Sequence, residues 1–195
     1  MNILTDRLPS SVKVGSNTFD IETDFRAGVS FALMVESGES NILKLCQPFF
    51  PNGFPSDIHG AIEAVLYFFR CGDEIEEKEQ TKQKQTKPAY SYKVDSEAIY
   101  ADFWRFYNVD LSQDELHWWT FRNLLMGLPE DSNFKTRIYY RTCNLSDLPK
   151  KEKARIAKIR KQIEIKQAES GKLTLEQRNK NMLDYVKKRS EELRG

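Results

Sequence analysis

A chain of 195 residues, 39% hydrophobic and 30% charged, has the composition of one ordinary globular domain with an appendage, which excludes disorder throughout. A formal net charge of +1 argues against a polyanion binder, and three scattered cysteines (Cys46, Cys71, Cys143), with no CxxC pair or paired-histidine spacing, argue against a disulfide framework or zinc site. The opening MNILTDRLPSS lacks a long apolar run and no later window has the length and hydropathy of a membrane span, so the expectation is a protein of a reducing cytoplasm with no signal peptide.

The small net charge conceals a separation. Residues 1–149 hold 15 Lys and Arg against 22 Asp and Glu, net −7, whereas residues 150–195 hold 15 against 7, net +8. The chain therefore reads as an acidic body over 1–148 and a basic helical extension over 149–195 that either folds back on the body or meets a partner.

In chain order, Val12 and Val14, then Phe19 and Ile21, alternate with polar residues around Gly15, Ser16 and Asn17, which predicts a β-hairpin. Two strands alone bury too little to be stable in water, so the hairpin must lean on helices or on another chain. Helical spacing of Phe25, Val29, Leu33 and Met34 predicts a helix over 24–36 despite Gly28. A shorter helix is expected over 40–46, with Ile42, Leu43 and Leu45 on one side and Pro48 stopping it. PFFPNGFP then reads as an ordered aromatic loop.

Ser56 or Asp57 can cap a helix that carries Ile58, Ile62, Val65, Leu66 and Phe69 and ends at Gly72. The next stretch, DEIEEKEQTKQKQTKP, is too poor in apolar side chains to offset its ordering entropy, so a mobile linker is expected at about 73–89.

Tyr90 to Leu145 gathers 13 of the 23 aromatic residues, so the core must be built around it. Asp95 is expected to cap a helix carrying Ile99, Tyr100, Phe103, Trp104, Phe106 and Tyr107, apolar almost all round with a narrow polar edge of Asp102 and Arg105. Ser112 and Glu115 match a capping box for a following helix with Leu116, Trp118, Trp119, Phe121, Leu124 and Leu125, ending at Gly127 in the left-handed role. The two should pack as an antiparallel pair, with a third helix over 133–141.

Pro149 suits the first turn of a Lys-rich helix with a thin stripe of Ile156, Ile159 and Ile163. Thr174 and Gln177 match another capping box, and Leu175, Met182, Val186 and Leu193 form a narrow seam suited to one neighbouring helix. These seven apolar residues are the expected partner-binding seam, together with the edge of the hairpin. The fold class expected is mainly α (α+β): a small N-terminal hairpin packed on a helical domain, followed by basic C-terminal helices.

Nothing in the pattern is catalytic. His117 has no second metal ligand at helical spacing and reads as a structural histidine; His59 has less support still. Adjacent carboxylates such as Asp114/Glu115 do not face each other across a pocket. Cys71 sits at the wrong end of its helix for an activated thiol. The nucleotide-binding and hydrolase motifs GxxxxGK[ST], GxGxxG and GxSxG are absent. Trp118/Trp119 and Tyr139/Tyr140 cannot form one flat platform, because neighbouring helical side chains diverge by about 100°. No catalytic residue, metal or cofactor is expected.

The order of an opening LP, an IETDFR segment after a hairpin, a helix ending LYFFRCG, a charged linker, YSYKVDSEAIYADFWRFYNVDL and LHWWTFRNLLMGLPEDSNFKTRIYYR resembles a family of tailed-bacteriophage proteins. The resemblance covers residues 3–145, with Asp95, Phe103, His117, Trp118, Trp119, Phe121, Arg122, Leu125, Gly127 and Leu128 as signature or core positions. Members are encoded beside the tape-measure gene of long-tailed phages and prophages of Gram-positive bacteria and are regarded as tail assembly chaperones. The resemblance implies a non-enzyme of the host cytoplasm, transient in or absent from the virion. It would bind and solubilise the tape-measure protein, help recruit the tail-tube protein, and self-associate. Two other readings stand beside it: a structural component of the tail or head–tail connector, and, more weakly, nucleic-acid binding through the basic C-terminal helices. The seven acids interleaved among those helices' cations favour a solvated surface over the last.

Overall fold

Antiparallel pairing joins Ser11–Val14 (β1) to Asn17–Asp20 (β2), with Val12 opposite Phe19 and Val14 opposite Asn17. The turn needs a left-handed residue, and Gly15 supplies it at φ 59. The computed structural model describes residues 2–73, 88–146 and 148–165. Most of the linker expected at 73–89, and Leu175, Met182, Val186 and Leu193 with their capping box, lie outside the described residues. The fold is 54% helical and α+β, as the patterning predicts. Its described residues form two compact units, 2–73 with 116–122, and 88–115 with 123–146 and 148–165.

In the first unit β1 lies on a helix over Ile58–Phe69 (named α3 below), burying Val12 and Val14. Asp24 caps α1, Phe25–Glu36, by accepting from the Arg26 amide at 2.9 Å. The short helix α2, Ile42–Cys46, stops before Pro48 as expected. A separate 3₁₀ turn, Gln47–Phe49, follows it, because proline tolerates the first turn of a new helical segment. Leu43, expected inward, is 43% exposed. α3, Ile58–Phe69, takes Asp57 rather than Ser56 as its cap, and left-handed Cys71 and Gly72 end it. Phe31, Phe49, Ile62, Val65 and Phe68 are fully buried.

Gly28 is a requirement of packing. A Cβ there would lie 2.4 Å from two carbons of the Trp118 indole, closer than atoms can approach. Gly28→Ala is expected to cost about 1–3 kcal/mol by overpacking, less the ~0.5–1 kcal/mol gained by replacing a helical glycine. A lowered urea midpoint at unchanged m-value would show it.

The second unit is built on α4, Tyr92–Tyr107, packed on α6, Asn133–Thr142, which in turn packs on α7, Lys150–Gln162. Two expectations change here. The cap of α4 is Ser91, whose hydroxyl accepts from the Lys93 and Val94 amides; Asp95 lies one turn inside the helix. The expected polar edge holds for exposed Arg105 but not for Asp102, which is fully buried, while Tyr100 and Trp104 are 41% and 52% exposed. The helix ends in left-handed Asn108 (φ 54), a role that asparagine's short polar side chain tolerates.

Helix α5 spans Trp118–Met126, contributing Trp118–Arg122 to the first unit and Asn123–Met126 to the second. It does not begin at a Ser112/Glu115 capping box, because Asp110 folds residues 110–113 into a turn by accepting from the Ser112 amide and hydroxyl. In the second unit it meets α4 where the Tyr107 hydroxyl donates to Leu124 O at 2.8 Å, but the larger packing partner of α4 is α6. Gly127 is not left-handed, contrary to expectation. Its amide continues the helical pattern to Asn123 O at 2.9 Å, and a Cβ would approach that same oxygen to 3.1 Å.

Candidate functional site

The signature residues separate into two clusters, both built for packing. In the first unit, residues 116–118 run alongside 23–25. The Phe25 amide donates to Leu116 O at 2.8 Å and the Trp118 amide to Thr23 O at 2.7 Å. That ladder sets both tryptophans against the end of α3, where Trp118 Nε1 donates to Phe69 O and Trp119 Nε1 to Phe68 O, each at 2.8 Å. Trp118 stacks on Phe69 and Phe121, and Phe121 stacks on Phe25. The Arg122 guanidinium lies 5.6 Å from the Trp118 ring centroid. Doublet residues thus feed two parts of a core, as their divergence on a helix requires.

His117 sits where the sequence reading places it, in a structural role. Its Nε2 donates to Pro9 O at 3.0 Å and its Nδ1 accepts from the Trp119 amide at 3.1 Å, which fixes the neutral tautomer. Burial lowers its pKa, against the pull of the Pro9 carbonyl. Burial likewise pushes the Cys71 thiol up to about 11 and Cys46 to about 12, so neither is an activated nucleophile.

In the second unit, Asp95 is a buried anion held by two arginines from α6. Arg141 binds it through Nη1 and Nη2 at 2.7 Å each, Arg137 adds a contact at 3.1 Å, and the Ser91 amide donates at 3.0 Å. Burial raises the carboxyl's pKa, but these donors outweigh it and hold it below the ordinary value. Arg141 also donates to Ala89 O and, from Nε, to Ile163 O at 2.9 Å, tying the approach to α4 and the end of α7 to one side chain. Arg160 of α7 donates to Tyr140 O and Cys143 O. Asp102 accepts from the Asn133 and Phe134 amides at 3.1 and 2.7 Å and from the Asn133 side chain, so α4 supplies a negative charge to the positive end of α6.

Of the other signature positions, Phe103, Leu125 and Leu128 are buried and Gly127 is exposed. In the expected seam, Ile156 is 3% exposed, which removes it as a free contact. Ile159 and Ile163 instead line a cleft of about 320 Å³ with Ala98 and Ala101 of α4 and Thr136, Arg137 and Tyr140 of α6. Exposed on the same unit are Trp104, Tyr100, Tyr139 and Met126. Among the described residues, no group of three or more His, Cys, Asp or Glu could hold a metal ion, and no helix is long and apolar enough to cross a membrane.

Sequence reasoning missed the arginine clasp and the cleft. Asp95 and Arg141 are 46 positions apart and share no local motif. The buried charge had only one local hint, an acid placed on the inward side of an aromatic helix.

Set beside known proteins, the chain is a phage protein: it belongs to the bacteriophage Gp15 protein family, whose pattern it matches over residues 4–165. Neither the curated proteins nor the solved structures compared give a match.

Proposed function

We propose that this protein is a tail assembly chaperone that binds the tape-measure protein without catalysis and keeps its helical apolar segments in solution during tail morphogenesis. The observation that carries the reading is the match to a bacteriophage family over 4–165, in line with the resemblance of residues 3–145 to phage chaperones encoded beside the tape-measure gene. Exposed Trp104, Tyr100, Tyr139 and Met126 are adaptable side chains of the kind that a binder of amphipathic helices uses. In this reading it works in the cytoplasm of a Gram-positive host, also recruits the tail-tube protein, associates with itself, and leaves before the virion is complete.

Coexpression with the neighbouring tape-measure product is expected to move that product from the pellet to the soluble fraction and to copurify it. No rescue and no copurification would reject the chaperone. A stoichiometric amount of this protein in purified particles, read by mass spectrometry, would favour a structural tail component instead.

A further inference from the structure

The outward face of the second unit combines three features on adjacent helices. The first is the cleft, floored by Ala98 and Ala101 and walled by Ile159 and Ile163. Small residues on one side and branched ones on the other leave room for inserted side chains. The second is the solvent face of α4. Glu97, Ala101 and Trp104 follow i, i+4, i+7 spacing, so the half-exposed indole lies one turn beyond the cleft floor on the same stripe. Tyr100 flanks it, its hydroxyl fixed by Asp110 at 3.0 Å. An exposed tryptophan and tyrosine one turn apart, in line with an apolar cleft, are unusual on a surface with no partner.

The third feature is charge. Helix α7 carries Lys150, Lys151, Lys153, Arg155, Lys158, Arg160 and Lys161 against the single acid Glu152. Lys153 and Arg160 turn back to carbonyls of their own unit. Lys151, Arg155 and Lys158 recur at i, i+4, i+7, stand exposed, and form no ion pair among the described residues. Arg155 is also one turn before Ile159, which puts a cation beside the cleft wall.

We infer that this face, the α4/α6/α7 cleft with Trp104 at one end and the Lys151/Arg155/Lys158 stripe beside it, is a docking groove for an amphipathic helix with an apolar seam and an acidic flank. The seam enters the cleft and covers Trp104, and the acidic flank pairs with α7. Charge complementarity selects the occupant: in the cleft lining Glu97 stands against Arg137, so the surplus is the Lys151/Arg155/Lys158 stripe beside it, which repels a basic helix and attracts an acidic one. The chaperone reading is needed only to say which chain carries that helix: the inference then places the client's binding segments among its acidic amphipathic stretches.

The probe is a synthetic amphipathic peptide with a leucine seam and glutamate flanks, compared with the same peptide carrying lysine for glutamate. Trp118 and Trp119 are buried, so a blue shift of tryptophan emission on titration reports Trp104, and Trp104→Phe should abolish it. Full-length protein is expected to bind the glutamate peptide roughly tenfold or more tightly than the lysine peptide, with affinity falling as salt rises. Arg155→Glu with Lys158→Glu, both on the surface, should reverse that preference while leaving the melting temperature unchanged. Equal binding of the two peptides, no emission change, or an unreversed preference in the double variant would overturn the groove. So would a duplex oligonucleotide that shifts Trp104 emission in place of the peptide. If tape-measure rescue succeeds and the peptides fail, the groove alone falls; if the peptides behave as expected and rescue fails, the chaperone reading alone falls.

Discussion

Asp95→Ala is expected to destabilise the second unit by about 3–5 kcal/mol, because it strands Arg141 and half-strands Arg137 with no counter-charge. Asp95 is fully buried and the Arg141 side chain is only 7% exposed, so solvent cannot take the carboxylate's place. The loss also spreads. Arg141 holds Ala89 O and Ile163 O from the same guanidinium, so its release loosens the start of α4 and the end of α7 together. Denaturant unfolding measures the cost, and a double-mutant cycle with Arg141→Met separates the pair from its parts: Asp95→Ala in that background should cost markedly less, since less charge is left uncompensated.

The same clasp sets an acid limb. The folded carboxyl's pKa is held below the ordinary 3.8, so the unfolded chain binds the proton first as pH falls. The stabilisation is fully present above 3.8 and is lost as the pH drops below it towards the folded value. A plot of stability against pH should therefore fall less steeply at acid pH in Asp95→Ala than in the parent. Equal steepness would show that Asp95 titrates alike in both states.

What the sequence could disclose follows from the range of the forces involved. Periodicity and capping are local, and they placed the hairpin, α1, α3, α6 and the start of α7 to within a residue or two. Errors arose where a distant partner decides a residue's environment. Asp102 looked like a polar edge because acids are ordinarily solvated; here it is buried by the amides of Asn133 and Phe134, 31 and 32 positions away. Once that face turned inward, Tyr100 and Trp104 had to turn outward. Ser112 and Glu115 met every local requirement of a capping box, yet Asp110 bound Ser112 first and left 116–118 free to pair with 23–25. The cleft was half legible: Ile159 and Ile163 were singled out as a seam, but Ala98 and Ala101, its opposite side, carry no signal in a sequence because small residues are noticed only when something packs against them.

Trp118→Ala is the second large effect, about 3–5 kcal/mol, and its use is that it tests how the first unit is assembled. The indole is fully buried, stacks on Phe69 at 5.1 Å and Phe121 at 5.8 Å between centroids, and donates to Phe69 O near the end of α3. Removing it opens a cavity between α1, α3 and the ladder at 116–118 and deprives a carbonyl of its donor. The ring also dictates Gly28. With the indole in place an alanine at 28 clashes at 2.4 Å; with the indole gone the atoms that the methyl would strike are removed and the helix gains about 0.5–1 kcal/mol from losing its glycine. The sign of Gly28→Ala should thus reverse, from destabilising in the parent to stabilising in Trp118→Ala, when urea midpoints are compared across the four proteins. Strict additivity would mean that Gly28 answers to its own backbone and not to the ring. Because this cluster is interior, Trp118→Ala protein kept below its unfolding transition should bind the glutamate peptide as the parent does. A loss of peptide binding in that folded variant would move the contact surface from the cleft to the aromatic cluster.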